Sequence, residues 1–274
     1  IDQCPILPPT LRHRLDVLRE QLEAAPLASV VSIVLTLGTD GLSGLAPVGI
    51  GLRALGKLPD NRPPVGEAGD AVSWLMADDS ERNHFGGTVP PMSYAGPECV
   101  GVQVGEVVIP TPPFAFVQIH PTGREELLKA VMRWIPAEPG FAIDAGCGTG
   151  IFARSLARRG WRVLAIDDGA ALEPAWRHPV ERVTFRQERA GAAPWPLAPA
   201  LVVCDPPRSG LDAQWSDRLL AARPDRIILI HCGLEAARRD LHLLDENMYR
   251  CLAIDPIDLM PGTMQVELVS VWER

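Results

Sequence analysis

The stretch FAIDAGCGTG, residues 141–150, decides the fold of this chain. An apolar strand pattern runs into a turn that contains Gly146, Gly148 and Gly150, and the segment IFARSLARRG that follows has the pattern of a helix. Glycines at this spacing let the backbone turn tightly, approach a ligand closely and open a helix whose free N–H groups face the turn. The stretch therefore predicts a binding site for a nucleotide-like ligand.

Two acidic residues accompany these glycines. Asp144 lies just before the turn, and the next strand pattern, WRVLAIDD, ends in Asp167. That residue is about 20 positions further on, where a carboxylate meets ribose hydroxyls in nucleotide-binding folds. The pattern D-x-G-x-G-x-G differs from the dinucleotide pattern G-x-G-x-x-G and resembles motif I of the class I S-adenosylmethionine (SAM) methyltransferases. A tight turn in another kind of α/β protein is the alternative.

The composition is that of a soluble globular protein. The chain has 274 residues, of which 47% are hydrophobic and 22% are charged. No apolar run reaches the roughly 20 residues of a membrane span, and no signal peptide pattern is present. Six cysteines are scattered without C-x-x-C spacing, which argues against a zinc site and against a disulfide framework. We therefore expect a cytoplasmic protein with reduced thiols, no membrane contact and no obligate protein partner.

The net charge of −8 argues against a broad nucleic-acid surface, because binding phosphates requires clustered lysine and arginine. Two local clusters of arginine are the exceptions. The sequence leaves open whether each is a basic patch or only a solvated helix face; they comprise Arg154, Arg158, Arg159 and Arg162, and Arg238 with Arg239.

The order of patterns along the chain predicts two domains. Leucines at helical spacing indicate an amphipathic helix over residues 5–25, and a β-rich region with many glycines and prolines follows up to residue 113. From residue 114 strands and helices alternate, which predicts a mostly parallel sheet in a doubly wound, Rossmann-like α/β fold. We predict a smaller α+β accessory domain over 1–113 and a catalytic domain over 114–274. Ligands in such sheets bind beyond the carboxyl ends of the strands.

Three groups at predicted strand ends could carry chemistry. Asp205 begins the segment DPPR, in which two prolines stiffen the loop that carries Arg208; a rigid turn with Ser209 as a helix cap is the alternative. Cys232 follows the strand RIILI beside His231, where polar surroundings can favour a thiolate. Glu267 lies in the last apolar strand, so it is either an edge-strand surface residue or a functional carboxylate with a raised pKa.

Taken in order, these segments resemble the RNA uracil-C5 methyltransferases, which make 5-methyluridine in ribosomal and transfer RNA with SAM. The resemblance covers roughly residues 114–274. The matching segments are FVQIHP, like F-x-Q-x-N; DAGCGTG; DPPRSGL; IHCGLEAARRDL, like S-C-N-P-x-T-x-x-R-D-L; and DLMPGTMQVELV, like D-x-F-P-x-T-x-H-x-E. The segment CPIL near the N-terminus is also similar to the family's C-P-L-L-P.

The resemblance implies a role for each matching residue. Cys232 matches the nucleophile that attacks C6 of the uracil, and Glu267 matches the base that removes the C5 proton. The cofactor SAM is expected to contact Gln118, Asp144, Asp167, Asp205 and the three glycines. We further expect Arg208 and His231 to contact the substrate. The implied enzyme is a SAM-dependent RNA (uracil-5-)-methyltransferase of rRNA or tRNA processing.

The chain also departs from the family pattern. His231-Cys232-Gly233 stands where the family has Ser-Cys-Asn, and His120 replaces the Asn of F-x-Q-x-N. Some family members hold a 4Fe–4S cluster on four cysteines. Cys4 resembles the fourth ligand, but this chain alone does not support a cluster, and its residues predict no metal site.

Three hypotheses about function therefore stand after the sequence. The first is uridine-C5 methylation of RNA through a covalent bond between Cys232 and C6. The second is a SAM methyltransferase that acts on a small molecule or a protein and leaves Cys232 idle. The third is a catalytically degenerate RNA-binding homologue, which the altered residues around Cys232 and the acidic net charge would suit.

Overall fold

The computed structural model describes most of the chain in two compact units. The described residues are 9–24, 30–38, 47–55, 65–77, 90–118, 120–259 and 262–274, so Cys4 lies outside them. The first unit comprises Ile1–Gln103, Val108–Val117 and Gly169–His178, and the second unit comprises Val104–Val107, Gln118–Asp168 and Pro179–Arg274. Residues 169–178 thus group with the first unit, and the simple division at residue 113 stays a prediction.

Six helices and thirteen strands are formed by the described residues. The helices are α1 Pro9–Ala24, α2 Pro121–Arg133, α3 Ile151–Arg158, α4 Glu173–Trp176, α5 Ala213–Ala222 and α6 Leu234–Glu246. The strands are β1 Val30–Leu37, β2 Val48–Leu55, β3 Ala71–Ala77, β4 Met92–Ala95, β5 Val100–Val104, β6 Val107–Thr111, β7 Phe141–Ala145, β8 Arg162–Asp167, β9 Val183–Gln187, β10 Leu201–Cys204, β11 Arg226–His231, β12 Arg250–Ile257 and β13 Glu267–Glu273.

The second unit contains a seven-stranded sheet in the order β12-β13-β11-β10-β7-β8-β9. Strands β7 to β11 run parallel to one another, whereas β13 runs antiparallel to both β11 and β12. Helix α3 packs on β7, β8 and β9, and helices α2 and α6 pack on the antiparallel end of the sheet. The predicted doubly wound α/β fold is confirmed.

The core of this sheet explains why its strands read as continuous apolar runs. All four residues of β10 and five of the six residues of β11 are buried. Parallel strands that are covered on both faces exclude water from every side chain, so alternation of polar and apolar residues disappears. Trp215 and Leu219 of α5 and Leu244 of α6 complete the same hydrophobic cluster.

The strand order reverses in the middle of the sheet, and this reversal creates the crevice for a ligand. The chain goes from β7 outward through β8 to β9, then returns to pair β10 on the other side of β7. The connections therefore leave the sheet in opposite directions between β7 and β10. At this point the Asp205 N–H donates to the Ala145 carbonyl oxygen over 3.0 Å, which joins the two loops that follow these strands.

The first unit has its own small core. Strands β1 to β4 form a sheet in chain order, and Leu18 of α1 packs with Ile50 and Trp74 of that sheet. In the same unit the buried Arg14 guanidinium of α1 forms an ion pair with Glu67 and lies 3.4 Å from the Asp70 carboxylate. The helical spacing of leucines in α1 thus predicted its packing correctly, whereas the pair with Arg14 has no signal in the sequence.

We predict that Gly146→Ala destabilises the second unit by about 2–4 kcal/mol, as left-handed strain and overpacking add. Gly146 has a φ of 75°, and a Cβ there would collide with the Asp205 carbonyl oxygen. Chemical denaturation followed by circular dichroism measures the change.

Gly148→Ala is the matched control for this substitution. Gly148 has a φ of 54°, but a Cβ there meets no heavy atom within 4 Å. Its cost is therefore only the left-handed backbone, about 1 kcal/mol. Equal losses in the two proteins would contradict the close approach of the two loops.

Candidate active site

The glycine turn at the end of β7 has the geometry of a ligand-binding loop. Gly146, Gly148 and Gly150 all have positive φ, and Gly150 directly precedes helix α3. A Cβ on Gly150 would lie 2.8 Å from the Phe185 ring, so this position requires glycine. The Gly148 N–H donates to the Asp167 carboxylate at the end of β8 over 2.9 Å. The turn and the second acidic residue are therefore adjacent, as the sequence predicted.

Asp144 is a buried carboxylate beneath this turn. Its exposed fraction is 0%, and one carboxylate oxygen accepts the Ala153 N–H of helix α3 over 2.8 Å. The other oxygen, Oδ1, is buried without a hydrogen-bond partner among the described residues. Burial raises the pKa of Asp144 to about 7, and the nearby Asp167 carboxylate adds to this rise, although the Ala153 N–H opposes it.

These features fit a ligand with a cationic group and a ribose. Space lies open in front of Gly148, and an unpaired carboxylate oxygen of Asp144 needs a donor or a positive charge. The half-buried Asp167 lies at the strand end where a ribose would meet a carboxylate. SAM has an ammonium group, a sulfonium and a ribose, so the residues present suit it.

The DPPR loop continues the same acidic crevice. Burial raises the pKa of Asp205 well above its usual range, and the charges of Glu267, Asp144 and Asp167 raise it further. The alternative of Ser209 as a helix cap is wrong. The N-cap of α5 is Asp212, whose side chain accepts a hydrogen bond from the Trp215 N–H.

The register of two strands that are distant in sequence relates Cys232 to Glu267. His231, the last residue of β11, pairs with Leu268 of β13. Cys232 directly follows β11 and Glu267 begins β13, so continuing this register would set the two residues opposite each other, where side chains share a face. The charge of Glu267 is accordingly among those that shift the pKa of the Cys232 thiol.

The surroundings of Cys232 favour the thiol rather than the thiolate. Burial raises the pKa of the half-buried Cys232, and the carboxylates of Glu267 and Asp205 raise it further. The exposed guanidinium of Arg208 acts in the opposite direction and lowers it. The expectation that polar surroundings promote a thiolate is therefore wrong, since two of the three charged groups that act on the Cys232 thiol are carboxylates.

Glu267 is a buried residue on an internal strand. Its exposed fraction is 6%, and β13 lies between β11 and β12, so the interpretation as an edge-strand surface residue is wrong. Burial raises its pKa, while a hydrogen bond with the Gln118 side chain and the charge of His231 lower it. Gln118, which we expected to contact the cofactor, thus also holds the carboxylate that lies opposite Cys232.

His231 is buried against helix α6. Its Nε2 lies 3.0 Å from Oδ2 of Asp240, both side chains are nearly inaccessible, and its Nδ1 has no hydrogen-bond partner among the described residues. The structure therefore places His231 behind Cys232 rather than on the solvent side of the crevice. Its predicted contact with the substrate stays a prediction.

Asp240 is the important site residue to which sequence reasoning assigned no role. It accepts the Leu211 N–H over 2.8 Å and pairs with Arg239, so it anchors the loop that begins at Asp205 to helix α6. Burial would raise the pKa of Asp240, but its hydrogen bonds from His231, Leu211 and Arg239 hold it below its ordinary value. The signal for Asp240 in the sequence is the segment RRDL, residues 238–241, which places an acidic residue in the helix that follows Cys232.

Among the described residues no group of three or more His, Cys, Asp or Glu side chains is arranged to hold a metal ion. No described helix combines the length and the apolar character that a membrane crossing needs. Cys4, the possible remnant of an iron–sulfur ligand, is outside the described residues, so the idea of a cluster stays untested.

Comparison with known sequences finds relatives that are named as RNA methyltransferases. A family profile described as a methyltransferase domain matches residues 143–200. An uncharacterized RNA methyltransferase of Brucella suis is 29% identical over 284 residues, which cover 99% of this chain and 64% of the relative. Another from Streptomyces avermitilis is 32% identical over 172 residues, which cover 58% of this chain and 39% of the relative. The chain therefore spans only part of the length of these relatives.

Comparison with solved structures supports the fold over almost the whole chain. The tRNA (uracil-54, C5)-methyltransferase of Pyrococcus abyssi, solved in complex with S-adenosyl-L-homocysteine, matches with a TM-score of 0.73 and 24% identity. The match covers 99% of this chain and 69% of that protein. The chain thus has the class I fold of SAM-binding methyltransferases, and the resemblance to RNA methyltransferases in the sequence is confirmed.

We predict that removal of a negative charge and removal of a positive charge near the sulfur move the reactivity of Cys232 in opposite directions. Glu267→Gln removes a charge that raises the thiol pKa, so alkylation by iodoacetamide begins at lower pH than in the wild type. Arg208→Ala removes a charge that lowers this pKa, so alkylation begins at higher pH. Peptide mass spectrometry across a pH series resolves Cys232 from the other thiols.

The exposed Cys251 on β12 is the internal control of the same samples. Its alkylation profile is expected to be identical in the three proteins. If the profile of Cys232 is also unchanged, the electrostatic coupling between these residues is refuted.

Asp144 is expected to make stability depend on pH. Its folded pKa of about 7 exceeds its ordinary value of 3.8, so its stabilising contribution is complete below about pH 4 and is lost as pH rises through 7. Between these limits the unfolding free energy of the wild type should fall by about 2–4 kcal/mol more than that of Asp144→Asn. Urea denaturation without cofactor across this pH range measures the difference, and parallel curves for the two proteins would contradict the shift.

Proposed function

We propose that this chain is the catalytic part of a SAM-dependent RNA methyltransferase that methylates C5 of a uridine in tRNA or rRNA. The observation that carries the proposal is the pairing of His231 with Leu268, because continuing this register would set the Cys232 thiol opposite the buried Glu267 carboxylate. A thiol and a carboxylate are the two groups that this reaction requires from the protein.

The cofactor is held by the carboxyl ends of β7, β8 and β10 in this proposal. Asp144 offers its unpaired oxygen, Asp167 lies at the position of a ribose partner, and Gly148 leaves room for the ligand. When SAM is bound, it supplies a sulfonium methyl group to a nucleophilic carbon. Burial raises the pKa of Asp144 and Asp205, nearby carboxylates raise it further, and the positive charges of the ligand would offset this second effect.

Cys232 provides the covalent step. C5 of uracil is a weak nucleophile, and addition of the Cys232 thiolate to C6 moves the electrons of the C5–C6 double bond into an enolate that makes C5 reactive. The thiol must first lose its proton, although burial and the carboxylates beside it raise its pKa. The positive charge of Arg208 lowers the pKa of Cys232, so in this proposal Arg208 promotes the attack of the thiolate on C6.

Glu267 completes the reaction as a general base. Its carboxylate removes the hydrogen from the methylated C5, the electrons of that bond restore the C5–C6 double bond, and the bond between C6 and sulfur breaks. A base at this step benefits from a pKa that is raised toward neutrality, and burial raises the pKa of Glu267. Gln118 holds the carboxylate in place through its side-chain hydrogen bond.

Two comparisons support RNA as the substrate. The sequence relatives are named RNA methyltransferases, and the structural neighbour from Pyrococcus abyssi is named for C5 of a tRNA uracil. The proposal therefore includes tRNA or rRNA processing, contact of the exposed Arg208 with the RNA, and activity in the cytoplasm. The buried His231, predicted from the sequence to contact the substrate, would instead support Cys232 from within the fold through Asp240. A SAM methyltransferase for small molecules would share the glycine turn, but it would give Cys232 and Glu267 no task.

A covalent trap tests the proposal. Fluorine at C5 cannot be removed as a proton, so RNA that contains 5-fluorouridine should form an adduct with the wild type and SAM that resists denaturing electrophoresis. Fluorouridine-substituted tRNA and rRNA are tested separately, which also identifies the class of RNA. Cys232→Ala is expected to lose the adduct completely.

The controls separate the nucleophile from the base. Cys251→Ala removes an exposed thiol on β12 and should form the adduct normally. Glu267→Gln should accumulate an adduct even with ordinary uridine, because the methylated C5 keeps its hydrogen. An adduct that persists in Cys232→Ala would refute the proposed nucleophile, and the absence of any adduct with both RNAs would refute uridine-C5 chemistry.

A further inference from the structure

A basic groove lies at the outer edge of the seven-stranded sheet and includes the ends of β7 and β8 that are opposite the glycine turn. It has a volume of about 750 Å³ and lies along the edge strand β9. Its walls include the first residues of β7 and β8 and the segment Pro196–Ala198, in which Leu197 is 78% exposed. The three charged residues that line the groove are all arginines: Arg162, Arg182 and Arg186.

Strand register brings these arginines onto one face. Val163 pairs with Val183, so Arg162 and Arg182 precede neighbouring positions on β8 and β9, and the Val163 N–H donates to the Arg182 carbonyl oxygen over 2.8 Å. Arg182 lies in the turn just before β9, with a φ of 71°. Arg162 and Ile166 lie four residues apart on β8 and so share a face, and Ile166 pairs with Arg186, which brings Arg186 to the face of Arg162. The groove is therefore lined by cations from two adjacent strands.

Among the described residues, the arginines of the groove form few ion pairs with acidic side chains. Arg162 lies over the Phe141 ring at 5.6 Å, and Arg186 donates to the Pro194 carbonyl oxygen over 3.3 Å. Arg182 has a weak contact of 3.7 Å with Glu181, whose side chain is 88% exposed. Like charges that oppose each other on neighbouring strands repel, so an anion in the groove would relieve a conflict within the sheet.

The other arginines of the same sequence cluster have different positions. Arg154 is buried and lies over the Phe185 ring, Arg158 pairs with Glu106, and Arg159 donates to the Met132 carbonyl oxygen. Only Arg162 from that cluster lines the groove. A charge count along the sequence would therefore choose the wrong residues.

We propose that this groove binds phosphates of the RNA substrate outside the target uridine. The inference rests on the proposed function for the identity of the polyanion. In a chain with a net charge of −8, a groove whose charged lining is entirely arginine is a local attraction for a phosphate backbone. Guanidinium groups also bind phosphate oxygens with two parallel hydrogen bonds, which a row of arginines repeats along a strand.

Distance makes the inference specific. Arg162 and Asp167 are the first and last residues of β8, so five residue steps of about 3.3 Å place their Cα atoms about 17 Å apart. A nucleic-acid strand that rises about 3.4 Å per nucleotide covers this span in about five nucleotides. An oligonucleotide of about three nucleotides centred on uridine is therefore too short to occupy both places, whereas a whole tRNA can do so.

The test compares two variants with the same change in charge. The first replaces Arg162, Arg182 and Arg186 by alanine. The second, as control, replaces Arg238, Arg250 and Arg274, which are arginines of the same unit that each have an acidic partner and lie outside the groove. Fluorescence anisotropy measures binding of a labelled tRNA transcript and of a labelled uridine trinucleotide over a series of salt concentrations, in the presence of SAM.

The groove variant is expected to bind tRNA at least tenfold more weakly than the control. The slope of log affinity against log salt should also become shallower by about 2–3, since each lost phosphate contact removes 0.7–0.9. Binding of the trinucleotide and the adduct between Cys232 and 5-fluorouridine within that trinucleotide should be the same in both variants.

Two outcomes would overturn the inference that the groove binds RNA. Equal tRNA affinity and equal salt slopes in the two variants would show that the groove does not bind RNA. If the groove variant instead aggregates in size-exclusion chromatography while its tRNA affinity is unchanged, the arginines serve only to prevent pairing of the β9 edge with another chain. Failure of the adduct in the wild type would refute the proposed uridine chemistry alone, because the anisotropy comparison does not depend on turnover.

Discussion

The antiparallel register between β11 and β13 is the constraint on which the candidate active site depends. His231 pairs with Leu268, so Cys232 and Glu267 occupy the next positions of this register although 34 residues lie between them in the chain. A shift of one residue would turn Glu267 to the other face of the sheet and bury its carboxylate in a hydrophobic core. The apolar residues that surround it on β13 fix this register, so the same burial that stabilises the sheet also positions the Glu267 carboxylate.

The candidate crevice at these strand ends is lined by acidic residues, and their negative charges suit a cationic ligand. Burial raises the pKa of Asp144, Asp205 and Glu267, and nearby carboxylates raise the pKa of Asp144 and Asp205 further. A positively charged ligand at this site would favour the ionised carboxylates and lower these pKa values. The raised pKa of Cys232 belongs to the same balance, because a bound cation would favour its thiolate.

Two supports hold the loops of the site in place. Gly146 allows the turn after β7 to approach the Asp205 carbonyl oxygen, and Asp240 ties the loop after β10 to helix α6. The buried pair between Asp240 and His231 extends the second support to the residue just before the candidate nucleophile. These contacts exclude water from the polar groups behind the crevice, so its open side is left for ligands.

The sequence by itself determined the alternation of strands and helices, the glycine turn with Asp144 and Asp167, and the identity of the thiol and the carboxylate. These depend on local patterns, because periodicity and the steric freedom of glycine act over a few residues. Only the tertiary structure decided the charge around Cys232, the internal position of β13, the role of Asp240 and the face on which Arg162, Arg182 and Arg186 meet. Burial, register and charge coupling join residues that are far apart in the chain, and no local pattern carries that information.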